Sequence, residues 1–224
     1  MRRIYIIGNG KIPFSQKVYL IENRCTCFQL NKASMDFDSD ILWGSSSDQA
    51  IMNRLPTFYG SFEQQAHIRK WMKNDWMREA IKPKWDGIRK FFPDFAKNRL
   101  DYLPNAIFLP SITWEDYKAG RTGHKGGFIR LGSSGAIAAY LSLSKLKYNI
   151  VTLVGCDAIY DEHKATERQQ RAWNRLATII KGMYQRVVLN ASEVPGIPHV
   201  IPRITLGDEM NQTSWEHLTR GKWK

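Results

Sequence analysis

The sequence predicts an α/β protein with a mostly parallel sheet flanked by helices, and three observations predict it. The chain opens on a β-branched apolar run, Ile4 to Ile7, that stops abruptly in Gly8-Asn9-Gly10. Further short apolar runs recur along the chain, most of them continuous rather than alternating, which suits strands covered on both faces. Helical patterns lie between the runs, and the β-α-β order around Ser134–Val154 implies a right-handed parallel crossover. At 224 residues, the chain is long enough for one domain, 1–224, with a full hydrophobic core.

Six runs bounded by turn residues read as strands: Ile4–Ile7, Cys25–Leu30, Ile41–Trp43, Ala106–Leu109, Ile150–Val154 and Arg186–Leu189. Ser134 to Lys147 reads as a helix, with Ala136, Ile137, Ala139, Tyr140, Leu143 and Leu146 on its apolar face. Ser133 and Ser134 offer hydroxyl caps at its start. Ala165 to Tyr184 reads as a second long helix that ends near Gly182. The stretch Ser61 to Tyr102 differs in composition. Aromatics such as Trp71, Trp76, Trp85, Phe91, Phe92 and Phe95 alternate there with lysines and arginines in a helical pattern. It is expected to be a helical insertion, 61–105, on one edge of the sheet. Two readings of it stand: a surface that tracks a nucleic-acid backbone and stacks bases, or an amphipathic pair with aromatic core and solvated bases. The last residues, Asn211 to Lys224, read as a loose basic tail.

Charge narrows the partners. Lys and Arg outnumber Asp and Glu by 33 to 21, a net charge of +12 that favours polyanions: nucleic acid, lipopolysaccharide, an acidic membrane face or a phosphorylated ligand. No apolar run approaches the ~20 residues of a membrane span, and no secretion signal is expected, because the first apolar run is short and followed by Gly8-Asn9-Gly10. A cytoplasmic protein is expected. Cys25, Cys27 and Cys156 form neither a disulfide framework nor a zinc knuckle, and are expected to be reduced thiols.

Several motifs bear on chemistry. Gly8-Asn9-Gly10 ends the first strand and is expected to leave backbone N–H groups and a carboxamide at the edge where open parallel sheets bind ligands. The dinucleotide fingerprint is absent because position 13 is Pro, and no Walker loop occurs. Gly120–Gly127 is glycine-rich and basic, and it carries His124, a spare candidate for a general base. Ser133-Ser134-Gly135 at a helix start reads as an anion site, or simply as capping residues. Gly155-Cys156-Asp157 ends the strongest strand, which brings Asp157 to the carboxyl edge. His163 follows, just before a long helix, where it suits a general base near neutral pH. Asp36, Asp38 and Asp40 form a D-x-D pattern, but they precede a strand and so fall at the wrong edge for a metal-diphosphate clamp. No metal site is expected.

Taken in order, these pieces resemble the small bacterial sialyltransferases, whose fold is a modified GT-A-like, Rossmann-like sheet. The opening strand with Gly8-Asn9-Gly10 is similar to the family's nucleotide-binding start. Phe28-Gln-Leu-Asn31 resembles its second strand, and Ser133-Ser134-Gly135 followed by Gly155-Cys156-Asp157 resembles its Thr-Ser-Gly helix and Gly-x-Asp strand. The resemblance implies a glycosyltransferase with a CMP-linked sugar as donor and no required cofactor. Asn9, Asn31, Ser133, Ser134 and Gly155 would hold the nucleotide, together with the turns at Gly8, Gly10 and Gly135. Tyr160 would hydrogen-bond the leaving phosphate. His163 would take the proton of the acceptor hydroxyl as it attacks with inversion. One feature departs from the family: only Asp161 and Glu162 separate Tyr160 from His163, so the family's lid and second phosphate-binding tyrosine are missing. The sugar and its carrier therefore stay open. An open acceptor side and a basic surface together imply a large anionic acceptor, such as modified phage-type DNA or an acidic glycolipid. Two other readings remain: a non-catalytic nucleic-acid-binding protein on the same scaffold, and another nucleotide-dependent transferase of the metal-requiring, pyrophosphokinase-like kind.

Overall fold

The computed structural model describes residues 1–8, 10–30, 41–43, 89–100, 105–121, 127–156, 167–193, 197 and 200–206. In chain order its elements are β1 (Arg3–Ile7), α1 (Phe14–Glu22), β2 (Cys27–Leu30), β3 (Ile41–Trp43), β4 (Arg89–Pro93), α2 (Lys97–Leu100), β5 (Ala106–Leu109), β6 (Ser111–Ile112), α3 (Trp114–Lys118), β7 (Phe128–Ile129), α4 (Ser134–Ser144), β8 (Ile150–Val154), α5 (Glu167–Lys181) and β9 (Val187–Asn190). A single turn of 3-10 helix, Asp94–Ala96, joins β4 to α2.

The main sheet runs β5-β4-β3-β2-β1-β8-β9, and every neighbouring pair is parallel. The protein is thus a parallel α/β protein of the Rossmann-like kind. At its centre Tyr5 of β1 lies opposite Cys27 of β2 and Thr152 of β8, and Ile7 lies opposite Gln29 and Val154. Successive residues point to opposite faces of a strand, and here both faces are covered. Ile4, Ile6, Phe28, Val151, Leu153 and Val188 meet Ala136 and Ala139 of α4 and Trp173 and Leu176 of α5 in one core. Tyr5, Ile7 and Val154 point the other way and pack with Leu20 of α1. That is why all five residues of β8 are buried and why its sequence is continuously apolar.

α4 owes its seat to small residues. Gly135, Ala136, Ala138 and Ala139 are buried, so its backbone comes close to the sheet over β1, β2 and β8. β6 and β7 form a separate two-stranded parallel ribbon just before α4.

The six sequence-predicted strands all form, with shifts of one or two residues at their ends. β2 begins at Cys27 because Arg24 turns left-handed (φ 46°) and the Cys25 N–H still donates to Leu20 O. β9 begins at Val187, after a left-handed turn at Gln185. The helices end earlier than expected, α4 at Ser144 in place of Lys147 and α5 at Lys181 in place of Tyr184, while residues 165 and 166 lie outside the described residues.

The helical reading of Ser61–Tyr102 fails over Arg89–Pro93, which is β4, paired between β3 and β5. Phe91 and Phe92 are sheet core: Phe91 lies 6.1 Å from Phe28, and Phe92 stacks on Phe108 at 5.8 Å. Lys90 beside them has no exposed surface. Residues 61–88 and 101–102 of the segment lie outside the described residues, as does the tail from Asn211 to Lys224. No described helix is long and apolar enough to cross a membrane.

Candidate functional site

The order of the strands reverses at β1. The chain leaves β1 through α1 to β2 on one side, and the later strands β8 and β9 add on the other. In open parallel sheets, ligands bind in the crevice outside the carboxyl ends of the strands at such a switch point. The carboxyl ends of β1 and β8 carry Gly8, Gly10 and Gly155.

These glycines hold the two strand ends together. The Gly8 N–H donates to Val154 O at 2.8 Å, and the Gly10 N–H donates to Gly155 O at 2.7 Å. A Cβ on Gly8 would lie 2.2 Å from Gly155 O, and one on Gly155 would lie 2.7 Å from the Ile12 side chain. Gly155 also adopts φ +60°, a conformation that side chains disfavour. The expectation that Gly8 and Gly10 leave bare N–H groups for a ligand is therefore corrected: both amides are used across the β1/β8 seam. Their contribution is close packing of the two strand ends at the switch point, with the Ile12 side chain against Gly155.

A second set of bonds fixes the neighbouring edge, and the sequence reading missed it. The Cys156 N–H donates to Ser192 Oγ at 2.9 Å, and the Ser192 N–H donates to Asn190 Oδ1 at 3.0 Å. Arg203 Nη2 donates to the carbonyls of Ser192 and Glu193, both at 3.1 Å. From the opposite face Gln16 Nε2 of α1 donates to Ala191 O at 3.0 Å. The exit of β8 toward Asp157 is thus clamped to the exit of β9. Asn190 Nδ2 and Gln16 Oε1 are buried there without a hydrogen-bond partner among the described residues. The sequence signal was small but present: Asn190-Ala-Ser192 places two hydrogen-bonding side chains directly after an apolar strand.

α4 packs against β1 and β8. Ser133 is its N-cap residue, extended at φ −135° and ψ 134°, but its hydroxyl makes no capping bond. The expected hydroxyl cap from Ser133 is therefore absent. Ser133 and Ser134 are both half-buried. The position where Gly135 would carry a Cβ lies 3.0 Å from the Trp173 ring, so this glycine lets α5 approach α4. Gly132, at φ +101°, turns the chain into α4, and the Arg168 side chain lies against that turn, 3.9 Å from Nε to a Cβ built on Gly132. An exposed arginine side chain thus lies at the turn into α4, whose N-terminal partial positive charge also favours an anion.

Of the expected site residues, Gly8, Gly10, Ser133, Ser134, Gly135 and Gly155 are described, at the ends of β1 and β8 and the start of α4. Asn9, Asn31, Asp157, Tyr160 and His163 lie outside the described residues, as do His124 and Asp36, Asp38 and Asp40. Cys27 and Cys156 are buried and Cys25 is half-buried, and none of the three is in a disulfide. The Cys156 Sγ lies 3.6 Å from Ile6 O, directed into the sheet rather than the crevice. Among the described residues no cluster of His, Cys, Asp and Glu could hold a metal ion. In comparisons with known proteins, the chain matches no family model, and no curated protein matches it.

Proposed function

We propose that this protein is a glycosyltransferase that moves a sugar from a nucleotide-activated donor to an acceptor hydroxyl, with the donor seated at the carboxyl ends of β1 and β8. The observation that carries the reading is the switch point itself: an all-parallel sheet whose order reverses between two strands ending in mutually packed glycines. Because the Gly8 and Gly10 amides are engaged, the donor phosphate falls to the first turn of α4. There the uncapped Ser133 hydroxyl, Ser134 and the early amides supply donors, and Arg168 supplies charge.

The chemistry follows the residues after β8. His163 takes the proton from the acceptor hydroxyl, and the oxygen attacks the anomeric carbon. The bond from that carbon to the phosphate oxygen breaks on the opposite face, so configuration inverts. Tyr160 donates a hydrogen bond to the phosphate as it leaves, and Asp157 holds a place at the strand exit. CMP is the carrier that the sequence resemblance favours, and the net charge of +12 favours a large anionic acceptor.

The test is turnover by His163→Ala on a panel of nucleotide sugars. One positioned general base is worth about 10²–10⁴ in rate. The expected result is a loss of that size with nucleotide affinity retained. Unchanged turnover would remove His163 from the mechanism.

A further inference from the structure

A half-exposed aromatic ring and an arginine without an acidic partner among the described residues stand together, one after β4 and the other after β7. Phe95, in the 3-10 turn after β4, is 54% exposed. Arg130, directly after β7, places its guanidinium carbon 5.9 Å from the Phe95 ring centroid. Its Nε donates to Ser111 Oγ at 2.7 Å, and its backbone N–H donates to Ile112 O. The arginine is therefore held at both its backbone and its Nε, and no carboxylate pairs with it among the described residues. Asp94, the nearest acid in sequence to the ring, accepts the Phe95 N–H at 2.9 Å.

A second aromatic–arginine contact, its arginine paired with Glu115, lies a short way along the chain. Trp114 stacks on Tyr117 at 5.4 Å, and the Arg175 guanidinium carbon lies 5.4 Å from the Trp114 ring centroid. Tyr117 is 39% exposed. Trp114 is three residues from Ser111, so the two aromatic–arginine units are anchored within about 11 Å of chain. Glu115 and Asp116 pair with Arg175 and Arg121. Arg130, Arg168 and Lys118 keep their charge without an ion pair among the described residues.

We propose that this surface binds single-stranded nucleic acid, with Phe95 stacking a base and Arg130 gripping the adjoining phosphate. An arginine anchored through Nε keeps both Nη groups for bidentate contact with a phosphate. An exposed phenyl ring beside it offers a sequence-tolerant platform that only an unstacked base can use, which selects single strands over duplex. A second exposed ring nearby, Tyr117, on a chain of charge +12 suits a polymer better than a mononucleotide. The proposal stands independently of the donor site, because it concerns binding and needs no turnover.

The test is a fluorescence-anisotropy titration of labelled oligodeoxythymidylate, about 15 nucleotides long to cover an ordinary single-strand site. Wild type, Phe95→Leu and Arg130→Gln are compared, with melting temperatures as a check on folding. Both side chains are exposed, so the variants are expected to melt with wild type. Phe95→Leu keeps an apolar side chain without the ring and is expected to weaken binding roughly five- to a hundredfold. Arg130→Gln is expected to weaken it and to lower the salt dependence, the slope of log K against log salt, by roughly 0.7. Equal affinity in all three proteins would overturn the proposal, as would no binding by wild type at low salt. Displacement by CMP at concentrations matching the oligomer in nucleotide, if it persists in Ser133→Ala/Ser134→Ala, would also overturn it, by making the surface a mononucleotide site. Oligonucleotide binding that depends on Phe95 and Arg130, in a protein inert toward every nucleotide sugar, would sink the transferase reading alone.

Discussion

Gly8 and Gly155 meet backbone to backbone where β1 and β8 end, and no side chain fits between them. A methyl group on Gly8 would sit 2.2 Å from a carbonyl oxygen, so Gly8→Ala can fold only if the strand ends part. We expect a loss of at least about 3 kcal/mol, the upper range for overpacking, read from urea unfolding. A Gly8→Ala protein as stable as wild type would show that the seam is loose. The sequence indicated that glycines stop β1, but not where their amides go, because the partner lies in a strand from the far half of the chain. Thr113 gives a second residue-level case. Its hydroxyl donates to Asp116 Oδ2 at 2.7 Å and accepts the Asp116 N–H at 3.1 Å, capping α3. This bond, with Arg121 beside it, holds the Asp116 carboxyl below its ordinary pKa of 3.8. A carboxyl depressed by folding stabilises the native state above its unfolded pKa, and the stabilisation is lost as pH falls through the folded value. Thr113→Ala is expected to lower stability at neutral pH and to flatten the acid limb below about pH 4. A parallel shift of the whole pH profile would contradict that linkage.

At the scale of elements, the decisive contact is α4 against α5. Gly135 lets the Trp173 indole lie at 3.0 Å from the place a Cβ would occupy. Gly135→Ala is expected to cost about 1–3 kcal/mol. Trp173→Phe removes the ring atoms that the added methyl group would meet, so the double variant should recover part of the loss. A double-mutant cycle in chemical unfolding measures this, and strict additivity would contradict the packing described. Which elements were legible follows from the same physics. Strands buried on both faces, such as Ile150–Val154, declare themselves as unbroken apolar runs. β4 did not, because it opens on Arg89-Lys90 and its aromatics fit a helical spacing as well as a strand. Only its neighbours β3 and β5 turn that segment into sheet and bury Lys90 completely. β6 and β7 have two residues each, too few for any periodicity to register. The serines at the start of α4 were legible as a helix start, whereas the idle Ser133 hydroxyl depends on the local backbone angles.

On the scale of the whole molecule, the strand order gathers the Gly8 and Gly155 turns, the Asn190–Ser192 clamp and the start of α4 at one edge of the sheet. The parallel class was readable from the continuous apolar runs. The position of the switch point was not, since it depends on which side of β1 the last two strands join. The clamp between β8 and β9 was hidden for the same reason: Ser192 meets Cys156 only once those strands are neighbours. This edge carries the proposed donor site, so nucleotide binding is the property on which the functional reading turns. The most direct measurement is the melting temperature of the wild-type protein and of Ser133→Ala/Ser134→Ala against CMP, CDP, UDP, GDP, ADP and their common sugar conjugates. A ligand at a hundred times its dissociation constant stabilises by about 2.7 kcal/mol, a shift of several degrees for a chain of this size. The expected result is stabilisation of wild type by one nucleotide, CMP first among them, and a clearly smaller shift in the double variant. No shift with any nucleotide, in a protein that melts cooperatively, would contradict a donor site at the carboxyl ends of β1 and β8.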